Sequence, residues 1–467
     1  AVACGALGQR LSARNQQSVA CEHDRPGHEG QVGGPIDLPA VGESAPSVFN
    51  DVLGPVMRGP SSSHTAGAYR IGRMVRDLLA DEPASARVTF DPKGSMAPTY
   101  QPLGVDLAFT SGIMGWSMLD DHYSEAIERA RADGLTVTFE IAGLEQTDHP
   151  NGMLIQSEST GGRRLRVVAE AVGGGGVRVV RIEDWPVDLD GKSSQVLVEI
   201  DIDADHELAD LLSDPNCQVI DGLALATTQA EESRALEMAS KLRDLPAVAN
   251  AWAVRPVFFV RRGDTLFEGA EEMVFAAEEH GCSLGEIALA YEVELLGMTE
   301  EDALDEMLRR FKVMEASMAA GLDDARSDML LLEPTAASFL KAEEERSIAI
   351  GGIHARAAAR AMAVMHCCNS RGVVCAAPTG GSAGTLPGVV FSLVEEFGLS
   401  PRQTAMALFA ASAIGLIVAR RATFAAELAG CQVEIGVSGA MAAAAVVEAV
   451  GGSARRAADA AAISLQN

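Results

Sequence analysis

Two long runs of small apolar residues, 403–419 and 437–453, constrain this chain more than any other feature. Their length invites a membrane reading, but Arg420 and Arg421 close the first and Glu448 interrupts the second. Both are therefore expected as helices buried inside protein. Burying them requires neighbours that allow close approach, and the composition supplies these: 48% of residues are apolar, yet only 4% are aromatic. Such an interior packs helix on helix through small side chains.

The helical pattern extends well beyond those two runs. From Gly269 onward, GEIALAYEVELLG, EEDALDEMLRRFKVMEASMAAGL and HARAAARAMAVMHCCN each carry apolar residues at helical spacing. Before that point the pattern alternates. A helix is predicted through HTAGAYRIGRMVRDLLADE, with Tyr69, Met74, Val75, Leu78 and Leu79 as its core stripe. Strands are predicted at ARVTFD, LTVTFEI, LRVVAEAV and VRVVRI, with a helix at DDHYSEAIERARAD before the second of them. The tetraglycine Gly173 to Gly176 separates the last two strands, where glycine permits a tight turn. A smaller unit follows: QVLVEIDI, the helix HELADLLSD, CQVIDGLALAT, a helix near EESRALEMASKL and the strand AWAVRPVFFV, a pattern compatible with a ferredoxin-like arrangement.

The fold class expected from this order is α+β, closing in a large all-helical region. Residues 1–46 are expected as a flexible extension, since they combine Gly, Pro, Ser, Gln and charge without a long apolar run. The remainder divides into 47–190, 191–262 and 263–467.

Charge and cysteine usage narrow the function. With 65 Asp plus Glu against 37 Lys plus Arg, the formal net charge is −28, a surface that repels phosphate backbones and excludes nucleic acid as an expected partner. No membrane partner is expected either. The eight cysteines form no CxxC pair and are too sparse for a disulfide framework, so a reducing cytoplasmic setting is expected.

Three segments carry chemistry. In Gly59-Pro60-Ser61-Ser62-Ser63-His64-Thr65 the three serines stand at a helix start, where hydroxyls and unpaired N–H groups collect an anion, and His64 adds a proton-transfer group. A serine cap beside a surface histidine is the bland alternative. Asp148-His149-Pro150-Asn151-Gly152 is a polar turn that brings His149 and Asn151 toward the glycine turn at 173–176, and it is equally compatible with a turn alone. The third segment, Ala376-Ala377-Pro378-Thr379-Gly380-Gly381-Ser382-Ala383-Gly384, exposes backbone donors suited to a carboxylate; it lacks the GK[ST] ending of a phosphate-binding loop. Gly430-Cys431-Gln432-Val433-Glu434-Ile435-Gly436, expected just ahead of the helix AMAAAAVVEAV, adds two polar groups between apolar helices.

In this order SVFNDVLGPVMRGPSSSHTAG, DHPNG, CAAPTGGSAGTLPG and GCQVEIG resemble the iron-sulfur-dependent L-serine dehydratases, also called L-serine ammonia-lyases, from residue 47 to the C-terminus. The resemblance implies a β-like domain at 47–190, an ACT-like domain at 191–262, an α-like domain at 263–467 and a homodimer. It implies a lyase of amino acid metabolism acting by β-elimination on a small hydroxylated amino acid or related carboxylate. His64, Ser63, His149 and Glu434 become the catalytic candidates. Ser61, Ser62, Thr65, Asn151, Thr379, Gly380, Gly381 and Gln432 become the substrate-binding ones.

Two departures stand against the family pattern. Gly94-Ser95-Met96-Ala97 continues as Pro98-Thr99-Tyr100-Gln101 in place of Thr-Gly-Lys-Gly-His, so Tyr100 and Gln101 are expected to reshape one wall of the site. The family's [4Fe-4S] cluster takes cysteines where this chain has Ala383 and Gly439, which leaves Cys431 as the one surviving ligand. Ligation rerouted through Cys367, Cys368 and Cys375 is the alternative, and the cofactor and any metal stay unassigned. A cluster-free isomerase or epimerase working through an enolate-like intermediate, or a noncatalytic homologue that binds an amino acid, are the competing functions.

Overall fold

A computed structural model describes residues 45–201, 218–220, 223–229, 234–323, 329, 332–424 and 430–466. The extension expected over 1–46 lies almost entirely outside them, as does the helix expected at HELADLLSD. Ala45 and Pro46 are buried, however, and the Pro46 carbonyl accepts from the Tyr291 hydroxyl at 2.8 Å, so packed chain begins earlier than expected.

The chain enters through a π-helical turn, Val48–Val52, and the short strand β1 (Val56–Arg58). There follow α1 (Ala66–Leu79), β2 (Pro83–Phe90), α2 (Met96–Thr99), α3 (Val105–Met114), α4 (Ala126–Ala132), β3 (Thr136–Ile141), β4 (Gly152–Ser159), β5 (Arg164–Gly173), β6 (Gly176–Ile182) and β7 (Trp185–Leu189). Strands β2 to β7 form a six-stranded sheet in the order β3-β2-β4-β5-β6-β7, in which β2 and β3 run parallel and every other pair antiparallel. Helices α1 and α3 cross so closely that a Cβ on Gly72 would stand 2.5 Å from the Phe109 carbonyl, and one on Gly112 2.2 Å from that of Tyr69. The stripe predicted on α1 holds for Met74, Val75, Leu78 and Leu79, which are fully buried. Tyr69 departs from it: half-buried, it turns its hydroxyl to the Trp116 carbonyl at 2.9 Å.

A second sheet consists of β8 (Gln195–Asp201), β9 (Gln218–Ile220), β10 (Leu223–Gln229) and β11 (Val248–Val254), with α5 (Ala235–Arg243) before the last strand. Its order is β11-β8-β10-β9, antiparallel throughout.

The remaining elements are α6 (Ala270–His280), α7 (Leu284–Leu296), α8 (Glu300–Gly321), α9 (Ala336–Glu344), α10 (Ile353–Asn369), β12 (Val373–Cys375), α11 (Thr385–Phe397), α12 (Pro401–Arg421), α13 (Cys431–Ala449) and α14 (Ala454–Gln466). Small-residue packing holds here as expected. A Cβ on Gly321 of α8 would meet the Ala363 carbonyl of α10 at 1.7 Å, and one on Gly285 of α7 the Met406 carbonyl of α12 at 2.4 Å. Helix α12, opened by a Ser400/Gln403 capping box with Pro401 in its first turn, is the one described helix long and apolar enough to cross a membrane, and 72% of its apolar window is buried in this fold.

Glu292 of α7 ties the entering segment down. Its carboxyl, fully buried, accepts from Ser47 Oγ at 2.6 Å and from the N–H groups of Val48 and Phe49 at 2.8 and 2.9 Å. Burial outweighs these three bonds and raises its pKa from 4.5 to about 7. The folded chain therefore keeps a proton that the unfolded chain releases, so this contribution is full below pH 4.5 and is lost as pH rises to about 7. Thermal melts between pH 4.5 and 8 should show wild-type stability falling relative to Glu292→Gln by ~3 kcal/mol across that window. Parallel profiles would refute this assignment.

Candidate functional site

The two strands that carry the motifs pair with each other. β1 runs antiparallel to β12, with Val56 opposite Cys375 and Arg58 opposite Val373. This two-stranded ladder joins the α+β part to the helical part; because its strands are antiparallel, the serine loop leaves after Arg58 at one end and the Ala-Pro-Thr-Gly-Gly loop after Cys375 at the other, and the two loops fold back to meet at Pro60, Ser62 and Gly380. A Cβ on Gly380 would lie 3.1 Å from both the Pro60 carbonyl and the Ser62 nitrogen. Cys368, at the end of α10, stitches the loops together by directing its thiol to the carbonyls of Gly380 at 3.3 Å and Pro60 at 3.6 Å.

The serine loop turns directly into α1. Ser62, Ser63, His64 and Thr65 are all buried, and Thr65 Oγ1 lies 2.8 Å from the Arg58 carbonyl and 2.7 Å from that of Ser61. His64 is held from both sides. Ser61 Oγ lies 2.9 Å from Nδ1 and Ser95 Oγ 3.3 Å from Nε2. Ser95 in turn donates to Asn151 Oδ1, an orientation consistent with Asn151 Nδ2 donating to the Ala171 carbonyl at 3.4 Å. With its hydroxyl proton directed to Asn151, Ser95 accepts from His64 in the tautomer that carries its proton on Nε2, and in that tautomer Nδ1 is an acceptor facing Ser61.

Asn151 and His149 are thus brought near the serine loop, but in different roles. Asn151 is buried and reaches the network. His149 is half-buried, and its Nδ1 accepts from the Asn151 N–H at 3.1 Å, so its observed bond shapes the turn that presents Asn151. Ser95 is the residue that motif reading left without a role. Its position depends on a contact distant in sequence: Ser95 N donates to the Pro150 carbonyl at 3.0 Å, and a Cβ on Gly94 would meet that same oxygen at 2.4 Å. The Gly-Ser pair ahead of α2 was the available signal.

Tyr100 does not reshape the wall as expected. Its ring packs on Phe90 and Phe139 at 5.5 and 5.6 Å, while Gln101 is exposed and offers its carbonyl to Arg371 at 3.1 Å.

Across from His64, Thr379 is buried and its Oγ1 lies 3.2 Å from Ser382 Oγ, which donates to the Ala377 carbonyl at 3.2 Å. Among the described residues no backbone carbonyl accepts from the N–H of Ser62, Ser63, Gly380 or Gly381. Those donors converge where the loops touch, the environment an anionic group requires. The half-buried Glu434 closes the opposite side, its Oε2 2.9 Å from where a Gly381 Cβ would stand. It sits in the first turn of α13, which begins at Cys431, so GCQVEIG opens that helix where the sequence suggested a segment ahead of it. The side chains of Cys431 and Gln432 lie outside the described residues.

The family described as serine dehydratase alpha chain matches residues 279–467. The probable L-serine dehydratase alpha chain of Bacillus subtilis (strain 168) is 32% identical over 202 residues, 43% of this chain and 67% of that relative. The probable beta chain of the same organism is 38% identical over 152 residues, 32% of this chain and 67% of that relative. This chain belongs to the L-serine dehydratase family. An L-serine dehydratase of Streptomyces coelicolor, 25% identical, is similar over 88% of this chain and 80% of its own length. Membership makes this a lyase-like enzyme of amino acid metabolism.

The cluster implied by the family can be tested against the thiols present. Ala383 is fully buried in the glycine loop, and no sulfur occupies its place. The rerouted set does not converge. Cys367 directs its thiol to the Val373 carbonyl, Cys368 to those of Pro60 and Gly380, and Cys375 to that of Ala376, beside Arg310. Burial raises all three, Cys367 to about 11 and Cys368 to about 12, which opposes the thiolate form that ligation needs. Among the described residues no three His, Cys, Asp or Glu side chains are grouped to hold a metal ion. The described residues do not fit a cysteine-ligated cubane.

Proposed function

We propose that this serine dehydratase relative eliminates water or another β-substituent from a small hydroxylated amino acid or related carboxylate at the contact between the serine loop and the glycine loop. The observation that carries the reading is His64, fixed between two serine hydroxyls with its Nδ1 as acceptor, beside converging backbone donors. The substrate carboxylate takes the N–H groups of Ser62, Ser63, Gly380 and Gly381, supported by Thr379 and Thr65. His64 removes the Cα proton, directly or across the Ser61 hydroxyl; the electron pair forms the Cα=Cβ bond as the Cβ–O bond breaks. Glu434 delivers the proton that turns the leaving hydroxide into water. Ser63 lines the reacting centre, and His149 positions Asn151. The aminoacrylate that results hydrolyses to a 2-keto acid and ammonia.

The sheet order β11-β8-β10-β9 supports reading 191–262 as a ferredoxin-like, ACT-like unit between a β-like region at 47–190 and an α-like region at 263–467. The divergent directions of the thiols favour a second reading, proton transfer without elimination.

Incubating anaerobically purified protein with L-serine in D2O separates the two. Elimination releases ammonia and keto acid in equal amounts. Deuterium at Cα of unconverted serine without ammonia release would replace it by isomerisation or epimerisation.

A further inference from the structure

We propose that a second anion-binding site, for a small doubly charged oxyanion, occupies the cavity between α1, α8 and the segment that follows β11. The cavity has a volume of about 490 Å³, within the range of small-ligand sites, and four guanidinium groups line it: Arg70 and Arg73 from α1, and Arg309 and Arg310 from α8. In a chain of net charge −28 this concentration of cations is a local exception.

The buried members are incompletely compensated. Arg70 is 9% exposed; it donates to the Gly175 carbonyl at 2.5 Å and lies 3.9 Å over the Phe258 ring, with no carboxylate in ion-pair contact among the described residues. Burial lowers its pKa to about 10, against a weaker attraction from Asp51. Arg310 is 3% exposed. Two of its nitrogens are used, by the Leu53 carbonyl and by Glu306 at 2.9 Å, and the guanidinium also stands against the Cys375 thiol, but its buried Nε has no geometrically formed hydrogen bond among the described residues. Among the described residues Arg73 bonds only the Tyr69 hydroxyl, at 3.4 Å. Of the nearby carboxylates, Glu306 is shared between Arg309 and Arg310, and Asp51 pairs with Lys192 at 3.7 Å. A buried unpartnered guanidinium nitrogen beside two unpaired arginines calls for an anion, and the forked donors match phosphate or carboxylate oxygens.

The cavity is distinct from the catalytic contact yet mechanically joined to it. Pro55 and Val56 in its wall lead through β1 into the serine loop, α1 starts one residue after Thr65, and α8 packs against β12. An occupant bridges both halves of the site and the segment leaving the four-stranded sheet, the geometry of an effector site.

The test is isothermal titration of the full chain with inorganic phosphate, and separately with succinate, in chloride at constant ionic strength. The expected result is saturable one-site binding of at least one of them, weakened ≥10-fold in the Arg73→Gln/Arg309→Gln double variant, whose folding is checked by circular dichroism. Binding of phosphate alone identifies a phosphoryl ligand; binding of succinate alone identifies a dicarboxylate. Failure of both to saturate, or unchanged affinity in the double variant, overturns the proposal. Should the double variant not fold, Leu119→Trp, at a rim position 39% exposed, narrows the mouth without removing a charge, and unchanged affinity there overturns it equally.

Discussion

His64→Gln lowers kcat ~10²–10⁴-fold, the span expected for loss of a positioned general base, while melting and far-UV circular dichroism stay close to wild type. The size follows from the network. The ring has Ser61 on one nitrogen and Ser95 on the other, so its orientation is fixed and its Nδ1 is the buried basic atom beside the converging donors. Glutamine retains polarity and much of the volume but has no comparable basicity. KM should change far less than kcat, because the carboxylate rests on backbone donors that the substitution leaves in place. Turnover within threefold of wild type would remove His64 from the mechanism.

The second large effect is structural. Gly59→Ala puts a Cβ 2.1 Å from the Cys368 carbonyl and 2.6 Å from its sulfur. The carbonyl belongs to the end of α10 and cannot yield as a side-chain tip does, so the serine loop must move away from the glycine loop. Overpacking of this kind costs about 1–3 kcal/mol, and displacement of His64 by ~1 Å costs on the order of 10²-fold in rate. Gly143→Ala, with nothing within 4 Å of the added carbon, is the matched control and should leave melting temperature and turnover unchanged. Equal behaviour of the two variants would show that the loop contact does not govern the site.

These contrasts show what the sequence reveals. The serine and glycine loops are legible because each compresses its chemistry into adjacent residues: hydroxyls and a histidine at a helix start, glycines ahead of an apolar helix. Most helices are legible too, since burial of Met74, Val75, Leu78 and Leu79 imposes a spacing that survives in the letters. Ser95 is not legible, because its meaning comes from the carbonyl of Pro150 and the amide of Asn151, more than fifty positions away. Strand β4 is hidden behind DHPNG, whose turn residues mask the pairing that starts at Gly152. Tyr100 misleads in the other direction: a polar tip suggests a site wall, while its ring contributes more by stacking on Phe90 and Phe139. GCQVEIG reads as a loop because of its glycines, yet α13 begins at Cys431 and runs through both Gly436 and Gly439.

Anaerobic co-crystallisation of the His64→Gln variant with L-serine tests the location of the site most directly. The serine carboxylate is expected within hydrogen-bond distance of the N–H groups of Ser62 and Gly380, with Cα facing position 64 and the hydroxyl toward Glu434. Serine bound away from the contact between the two loops, or no bound serine at saturating concentration, would contradict it.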